Sequence, residues 1–423
     1  MRRVAVLLFA AVAALHGADG WVSCWTASPH GPYPAGNAVA QPELRDILPA
    51  SGANDQTFRL IVKPDLWSRT IRLHLTNVFG SQPVTLDGVY AGIHAGAGRI
   101  LPGTNRPVRF AGKNSATIDP GKTLYSDPVM LDYIPRLAPP DARKLAISFH
   151  VPGASGPLTW HAKALTTSYL TGRGAGSHGM EEASDAFPFT TTSWYLLDSV
   201  EAMSSAGTSV IAAFGDSITD GTNSTINGDD RWPDFLSQRV HAAMGTRALV
   251  VNTGIGGNRI IGPEPYDAVK PFSGGPSALD RLDRDVLAIP GLKVVIWLEG
   301  INDLGAGSSA EDIIAGMRKG VARLHDRHVK VIGATIVSAL NSTPAQGTPE
   351  VDAKRKSINQ FIRTGGVFDG VADFDGATLD VQTGTLKPKF QPSSSTGGPG
   401  DRLHPNRAGY QAMANSIDLA LLR

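Results

Sequence analysis

Asp401 and His404 stand in one short stretch, Asp401-Arg402-Leu403-His404-Pro405-Asn406. A carboxylate this close to a histidine can orient the imidazole and stabilise its charged form. Pro405 restricts the backbone beside them, which favours a fixed turn. An oriented imidazole is a base, and Ser217 in Gly215-Asp216-Ser217 is a hydroxyl such a base could activate. A serine is a weak nucleophile until its proton is taken, so the three together would perform acyl transfer. That chemistry also needs donors fixed in advance for a developing oxyanion. Asn252-Thr253-Gly254-Ile255-Gly256-Gly257-Asn258 offers backbone N–H groups that a substrate can approach closely, because glycine has no Cβ. Glu299-Gly300-Ile301-Asn302-Asp303 offers the Asn302 side-chain amide. Singly each signal is weak, since glycine turns, loop asparagines and Asp-x-x-His at helix entries are common.

The elements that must position these residues make the signal stronger. After Thr208 the pattern alternates strand and helix, which predicts a parallel sheet. Strands are expected at 210–214, 248–252, 293–298, 329–336 and 370–374. Ser217, the glycine stretch and Asn302 each follow one of them, and His404 precedes the last helix. Open α/β sheets place their chemistry at that carboxyl edge. Pro233 suits the first turn of a helix ending at Gly245; Ser309 with Asp312 resembles a capping box; Pro349 opens a helix closed by Gly365-Gly366. Asn406 is placed to cap a final helix with Met413, Ile417 and Leu421 inward.

The first half reads differently. Segments 70–76 and 145–151 alternate apolar and polar residues, as strands with one wet face should. Shorter candidates at 84–93, 108–110 and 116–118 are separated by Gly, Pro and Asn turns, and no helix of three turns is evident. This predicts a β-rich, sandwich- or jelly-roll-like module. The Gly-, Ser- and Thr-rich 172–192 reads as a long loop or connector, 194–200 as a last strand, and 204–207 as a boundary.

The chain has 423 residues, a net charge of +1 and no basic tract, which argues against nucleic acid as a partner. Arg2, Arg3 and the apolar 4–15, followed by Ala18-Asp19-Gly20, read as an export signal cleaved before Trp21, leaving a secreted or periplasmic protein. No later run reaches transmembrane length. Cys24 is the sole cysteine, so no internal disulfide exists, and it reads as a small buried side chain. His30, His74, His94, His150 and His161 lack metal-ligand spacing and read as packing or strand-surface residues. Trp160 and the aromatics of 21–33 read as core ahead of a carbohydrate platform. His325 and His328 read as a solvated helix face. There is no Gly-x-Ser-x-Gly elbow, P-loop or strand-linked Gly-x-Gly-x-x-Gly, so neither an α/β-hydrolase nor a nucleotide cofactor is indicated.

In order, Gly215-Asp216-Ser217, Gly257, Gly300-x-Asn302-Asp303 and Asp401-x-x-His404 resemble the blocks of the SGNH, or GDSL, hydrolase superfamily, over residues 210–422. Ile218-Thr219-Asp220-Gly221, Gly256-Gly257-Asn258-Arg259 and His404-Pro405-Asn406-x-x-Gly409-Tyr410 are similar to its secreted bacterial esterases, and the first half resembles the N-terminal module of a two-domain branch. The resemblance implies a flavodoxin-like three-layer α/β/α domain at 207–423, behind a signal peptide at 1–20 and a β-rich domain at 21–200. It implies cofactor-free ester hydrolysis with Ser217 as nucleophile, His404 as base and Asp401 orienting it. The Ser217 N–H, the Gly257 N–H and the Asn302 amide would be the oxyanion donors; Gly257 is preferred to Gly256 because it lies five residues after Asn252. Polar loops at 222–230, 262–276, 341–348 and 382–400 favour short acyl esters, such as O-acetyl groups on carbohydrates, over a lysophospholipase. From another class, a polysaccharide-binding protein using the β module is the alternative.

Overall fold

The computed structural model describes residues 20–39, 41, 44–134, 143–204, 207–263, 266–267 and 269–423. Of the expected signal peptide at 1–20, residues 1–19 lie outside the described residues, as do Ser205 and Ala206 of the expected boundary.

The first half is built of antiparallel sheets. One contains β1 (Gly20–Thr26), β6 (Leu197–Ser204) and β3 (Thr70–Thr76) as neighbours in that order; the other contains β2 (Gln56–Val62), β5 (Leu145–Val151) and β4 (Val84–Ile93). Leu73 and Leu75 from one sheet and Phe58, Leu60 and Phe149 from the other lie in a single buried cluster, as two packed layers require. The helix here that the described residues show is the four-residue Leu44–Ile47.

Three expectations are corrected. β5 has no wet face: all seven of its residues are buried. Its polar face is covered by the 172–188 loop, which is therefore part of this domain and no linker. Arg59, fully buried on β2, donates to Ser148 Oγ on β5 (2.9 Å) and to the loop carbonyls of Ala183 (3.0 Å) and Glu181, while its guanidinium stacks 4.0 Å over Phe187. The expected strand at 194–200 is two: Trp194–Tyr195 pairs elsewhere, and β6 begins only after Leu196, whose φ is +58°. Trp25, Tyr33 and Trp160 are core, with Tyr33 edge-on to Trp160 at 4.9 Å.

From Ser209 the chain forms a five-stranded parallel sheet: β7 (Ser209–Gly215), β8 (Ala248–Gly254), β9 (Leu292–Leu298), β10 (Lys330–Ala334) and β11 (Gly370–Ala372). The spatial order β8-β7-β9-β10-β11 is the doubly wound, flavodoxin-like arrangement. Alternate residues of β7 enter opposite cores, as the two-residue side-chain period demands. Ile211 and Ala213 meet α2 (Trp232–Met244) and α6 (Arg407–Asn415); Val210, Ala212 and Phe214 share the cluster of α4 (Ala310–His325) and α5 (Pro349–Thr364). The sheet is thus the middle of three layers. α4 ends at His325 and His328 lies beyond it with φ +57°, so those two histidines do not share a helix face. α6 ends at Asn415, short of Ile417 and Leu421.

The two halves share one buried cluster, which runs from Val22 and Trp25 to Leu249 and Val251. Across it Thr26 Oγ1 donates to the Asn252 carbonyl (2.8 Å), and Asp65 accepts from the Val250 N–H (2.6 Å). Among the described residues no helix is long and apolar enough to cross a membrane.

Candidate active site

β7 runs straight into α1 (Ser217–Asp220), a single turn whose N-cap is Asp216; the Asp216 carboxylate accepts from the Ile218 N–H at 2.9 Å. Ser217 is therefore the first helical residue, just past the strand's carboxyl end and next to β9, where the strand order reverses. Ser217 Oγ lies 2.7 Å from His404 Nε2, across a separation of 187 residues. His404 Nδ1 lies 2.5 Å from Asp401 Oδ2. A carboxylate only accepts, so Nδ1 carries a proton, and in that tautomer Nε2 is the atom that can accept the serine hydroxyl.

The loop that presents this pair is tightly specified. Arg402 adopts φ +61°, which lets Asp401 Oδ1 accept from the N–H groups of both Leu403 (3.0 Å) and His404 (2.9 Å). Burial pushes the Asp401 carboxyl up, but the His404 hydrogen bond and charge and the two N–H groups outweigh it and hold it well below the ordinary range. It stays ionised across the neutral range. Asn406 caps α6 immediately after, accepting from Ala408 and Gly409 N–H groups.

The glycine stretch passes so close to α1 that a Cβ on Gly254 would lie 2.4 Å from the Asp220 nitrogen. Gly256 donates its N–H to Asp220 Oδ2 at 2.9 Å and is thereby occupied. Gly257, at φ +83°, has no acceptor for its N–H among the described residues, and neither has Ser217. Asn302, in α3 (Ile301–Gly305), spends one amide hydrogen on the Asn258 carbonyl (2.9 Å), leaving a second to donate. Asn258 is anchored by donating to the Gly274 and Pro276 carbonyls (both 2.7 Å) and accepting from Arg281 Nε (2.7 Å). Arg281 is buried, and also donates to the carbonyls of Thr253 (2.7 Å) and Gly215 (2.9 Å), which end β8 and β7. The five residues expected from sequence thus lie at one sheet edge, joined by a continuous series of contacts.

Residues 213–412 match the GDSL-like lipase/acylhydrolase family. The parallel-sheet domain is an SGNH/GDSL hydrolase domain. The chain is accordingly an ester-hydrolysing enzyme. Comparison with curated proteins returns no match. Solved structures similar to it include a lipase/acylhydrolase from Enterococcus faecalis (20% identity, 49% of this chain, 93% of that one, TM-score 0.36). Others are a carbohydrate acetylesterase family member from Sinorhizobium meliloti (17%, 51%, 99%, 0.37) and a GDSL-like lipase from Bacteroides thetaiotaomicron (16%, 50%, 87%, 0.37).

Beneath the SGNH/GDSL site lies a group of buried carboxyls. Burial pushes Asp216 up to about 7, against the hydrogen bond from Ile218, and Asp303 up to about 6, against those from Ile260 and Ile261. Glu299 is pushed by burial up to about 8, against the attraction of Arg281 and a 2.8 Å hydrogen bond from Trp297 Nε1. Its other oxygen has no partner among the described residues. Each holds its proton to a higher pH than an exposed carboxyl would, Glu299 the highest.

Sequence reasoning passed over the antiparallel domain's part in this site. His161 Nε2 lies 3.2 Å from Asp220 Oδ1, and the buried Lys163 donates to Thr222 Oγ1 at 2.6 Å. Burial raises the Asp220 carboxyl, but His161 and Lys163 facing it bring it below its ordinary value. Asn37 Nδ2 donates to the Gly256 carbonyl at 2.8 Å. The 222–230 loop, expected to face substrate, is partly interface: Asn227 N–H donates to the Leu165 carbonyl (2.8 Å) and Asp229 pairs with Lys144 (2.8 Å). Only Asp220 carried a local signal, its place in the Gly215–Gly221 block.

Proposed function

We propose that Ser217 attacks an ester carbonyl while His404 takes the Oγ proton, forming a tetrahedral intermediate. His404 then gives that proton to the departing alkoxide, leaving a Ser217 acyl-enzyme. Water attacks the acyl-enzyme with His404 again as base, releasing the carboxylic acid and restoring the serine hydroxyl. Asp401 holds the imidazole in the Nδ1–H tautomer and stabilises the imidazolium. The Ser217 N–H, the Gly257 N–H and the Asn302 amide bind the oxyanion. The observation that carries this reading is the 2.7 Å and 2.5 Å hydrogen-bond series from Ser217 through His404 to Asp401.

The substrates are short-chain acyl esters, O-acetyl groups on carbohydrates among them. Supporting this, polar side chains that hydrogen-bond at or beside α1, the glycine stretch and the histidine loop include Thr222, Lys163, Asn223 and Asn37. A long acyl chain would favour a continuous apolar wall. Export of the enzyme is supported by Arg2, Arg3 and the apolar 4–15.

The test is turnover of p-nitrophenyl esters of rising chain length by the purified protein. Ser217→Ala is expected to lower kcat on the acetate by about 10⁵-fold or more, and Asp401→Asn by about 10²- to 10⁴-fold, with Tm within a few degrees of wild type. Unaltered turnover in either variant would sink the assignment. Preference for the longest chains would replace the short-acyl reading with a lipid-directed one.

A further inference from the structure

The Gly256 carbonyl and the Gly257 N–H belong to one peptide unit. That bond is trans, so its C=O and N–H point in opposite directions. Asn37 Nδ2 lies 2.8 Å from the Gly256 oxygen, and a Cβ on Gly257 would stand 2.5 Å from the same nitrogen. The asparagine therefore occupies one side of this peptide and leaves the N–H on the other. On the preceding peptide, Asp220 holds the Gly256 N–H at 2.9 Å. At φ +83°, Gly257 lies where the backbone of a glycine would otherwise be free to swing. Without Asn37, among the described residues, nothing hydrogen-bonds the Gly256 oxygen. A donor on a peptide carbonyl also polarises the unit, which strengthens its N–H as a donor.

We infer that Asn37, a residue of the antiparallel domain lying 219 positions before its partner Gly256, is a positioning residue for the oxyanion donor Gly257. Its side chain aims and polarises the peptide whose N–H meets the tetrahedral intermediate. The SGNH/GDSL site is in this sense completed by the other domain. The inference rests on the reading of Ser217 as nucleophile and of the Gly257 N–H as oxyanion donor.

The experiment uses the full chain with p-nitrophenyl acetate and with the phosphorylating inhibitor diethyl p-nitrophenyl phosphate. Asn37→Asp keeps the side chain's shape and loses the donor. It should lower kcat about 10- to 100-fold with KM nearly unchanged. Phosphorylation should slow by a similar factor, because the phosphoryl oxygen needs the same donors. Ser237→Ala, which removes a hydrogen bond to Asp65 between the domains away from the glycine stretch, should lower Tm slightly and leave kcat unchanged. If Asn37→Asp keeps kcat and phosphorylation within about twofold of wild type, the inference is overturned. It is equally overturned if Asn37→Asp and Ser237→Ala lose kcat alike, since Asn37 would then act only through docking. Turnover that survives Ser217→Ala overturns the nucleophile reading and this inference with it. Ser217-dependent turnover untouched by Asn37→Asp overturns this inference alone.

Discussion

Arg59 in the antiparallel domain and Arg281 in the SGNH/GDSL domain are both shut away from solvent, and they do different things. Antiparallel strands satisfy their backbone groups on their neighbours, so Arg59 finds its acceptors mainly in two loops beside the sheet: the carbonyls of Gly98 (2.7 Å) and Ala183 (3.0 Å). The result closes a face. Parallel strands instead end together at one edge, where their last carbonyls need partners. Arg281 collects the Gly215 and Thr253 carbonyls with Asn258 Oδ1, and its charge is balanced by Asp285 at 3.3 Å. The result fixes the strand ends beside Ser217 and the glycine stretch. A similar buried cation seals one domain and arranges the reactive edge of the other.

Replacing each arginine by methionine, which keeps much of the buried stem, tests that contrast. Arg281→Met leaves the Asn258 Oδ1, Thr253 and Gly215 acceptors unpaired, while Asp285 keeps Arg284, so it is expected to cost about 3–5 kcal/mol. It should also lower kcat at least about tenfold at temperatures where the variant is folded. Arg59→Met should cost about 2–4 kcal/mol by stranding its carbonyl acceptors, yet leave kcat within about twofold in the folded fraction. Denaturant titrations beside turnover measurements separate the two. Equal losses of kcat would break the contrast.

A smaller effect sharpens it. Arg281 has buried carboxyls for neighbours, whereas Arg59 relies on carbonyls and a hydroxyl. Because burial raises Glu299 to about 8, its proton is held more tightly in the folded chain than in the unfolded one. Its stabilising contribution is complete below the ordinary glutamate range and declines as pH rises towards and through 8. Glu299→Gln removes that decline. The variant should match wild type in Tm near pH 5 and exceed it by about 1–3 kcal/mol of stability near pH 8.5. A gap that does not widen with pH would show that Glu299 is ionised in the folded protein.

Much of the parallel domain was legible because its signals are local. An uncharged run such as Val210–Phe214 suits a strand buried on both faces, and Ser309, Pro349 and Asn406 mark helix starts by chemistry confined to one turn. The antiparallel domain was legible in its strands and much less so in its faces. Ser148 and His150 alternate like solvent-facing residues but are buried, one under Arg59 and the other between Asp55 and Asp87. Period two says which residues share a face, and it is silent on what lies over that face.

By itself, the sequence determined the chemical vocabulary of the site: a serine after one strand, glycines after another, an asparagine after a third, and an Asp-x-x-His before the last helix. Each follows from spacing within a few residues, and the order of strands then brings them to one edge. Only the tertiary structure decided that Gly256 is occupied by Asp220, and that His161, Lys163 and Asn37 reach in from the antiparallel domain. Only it placed Arg281 beneath them, tying the strand ends together. The reason is physical. A hydrogen bond between groups some 60 to 220 positions apart depends on how two domains dock, and docking depends on the whole shared core.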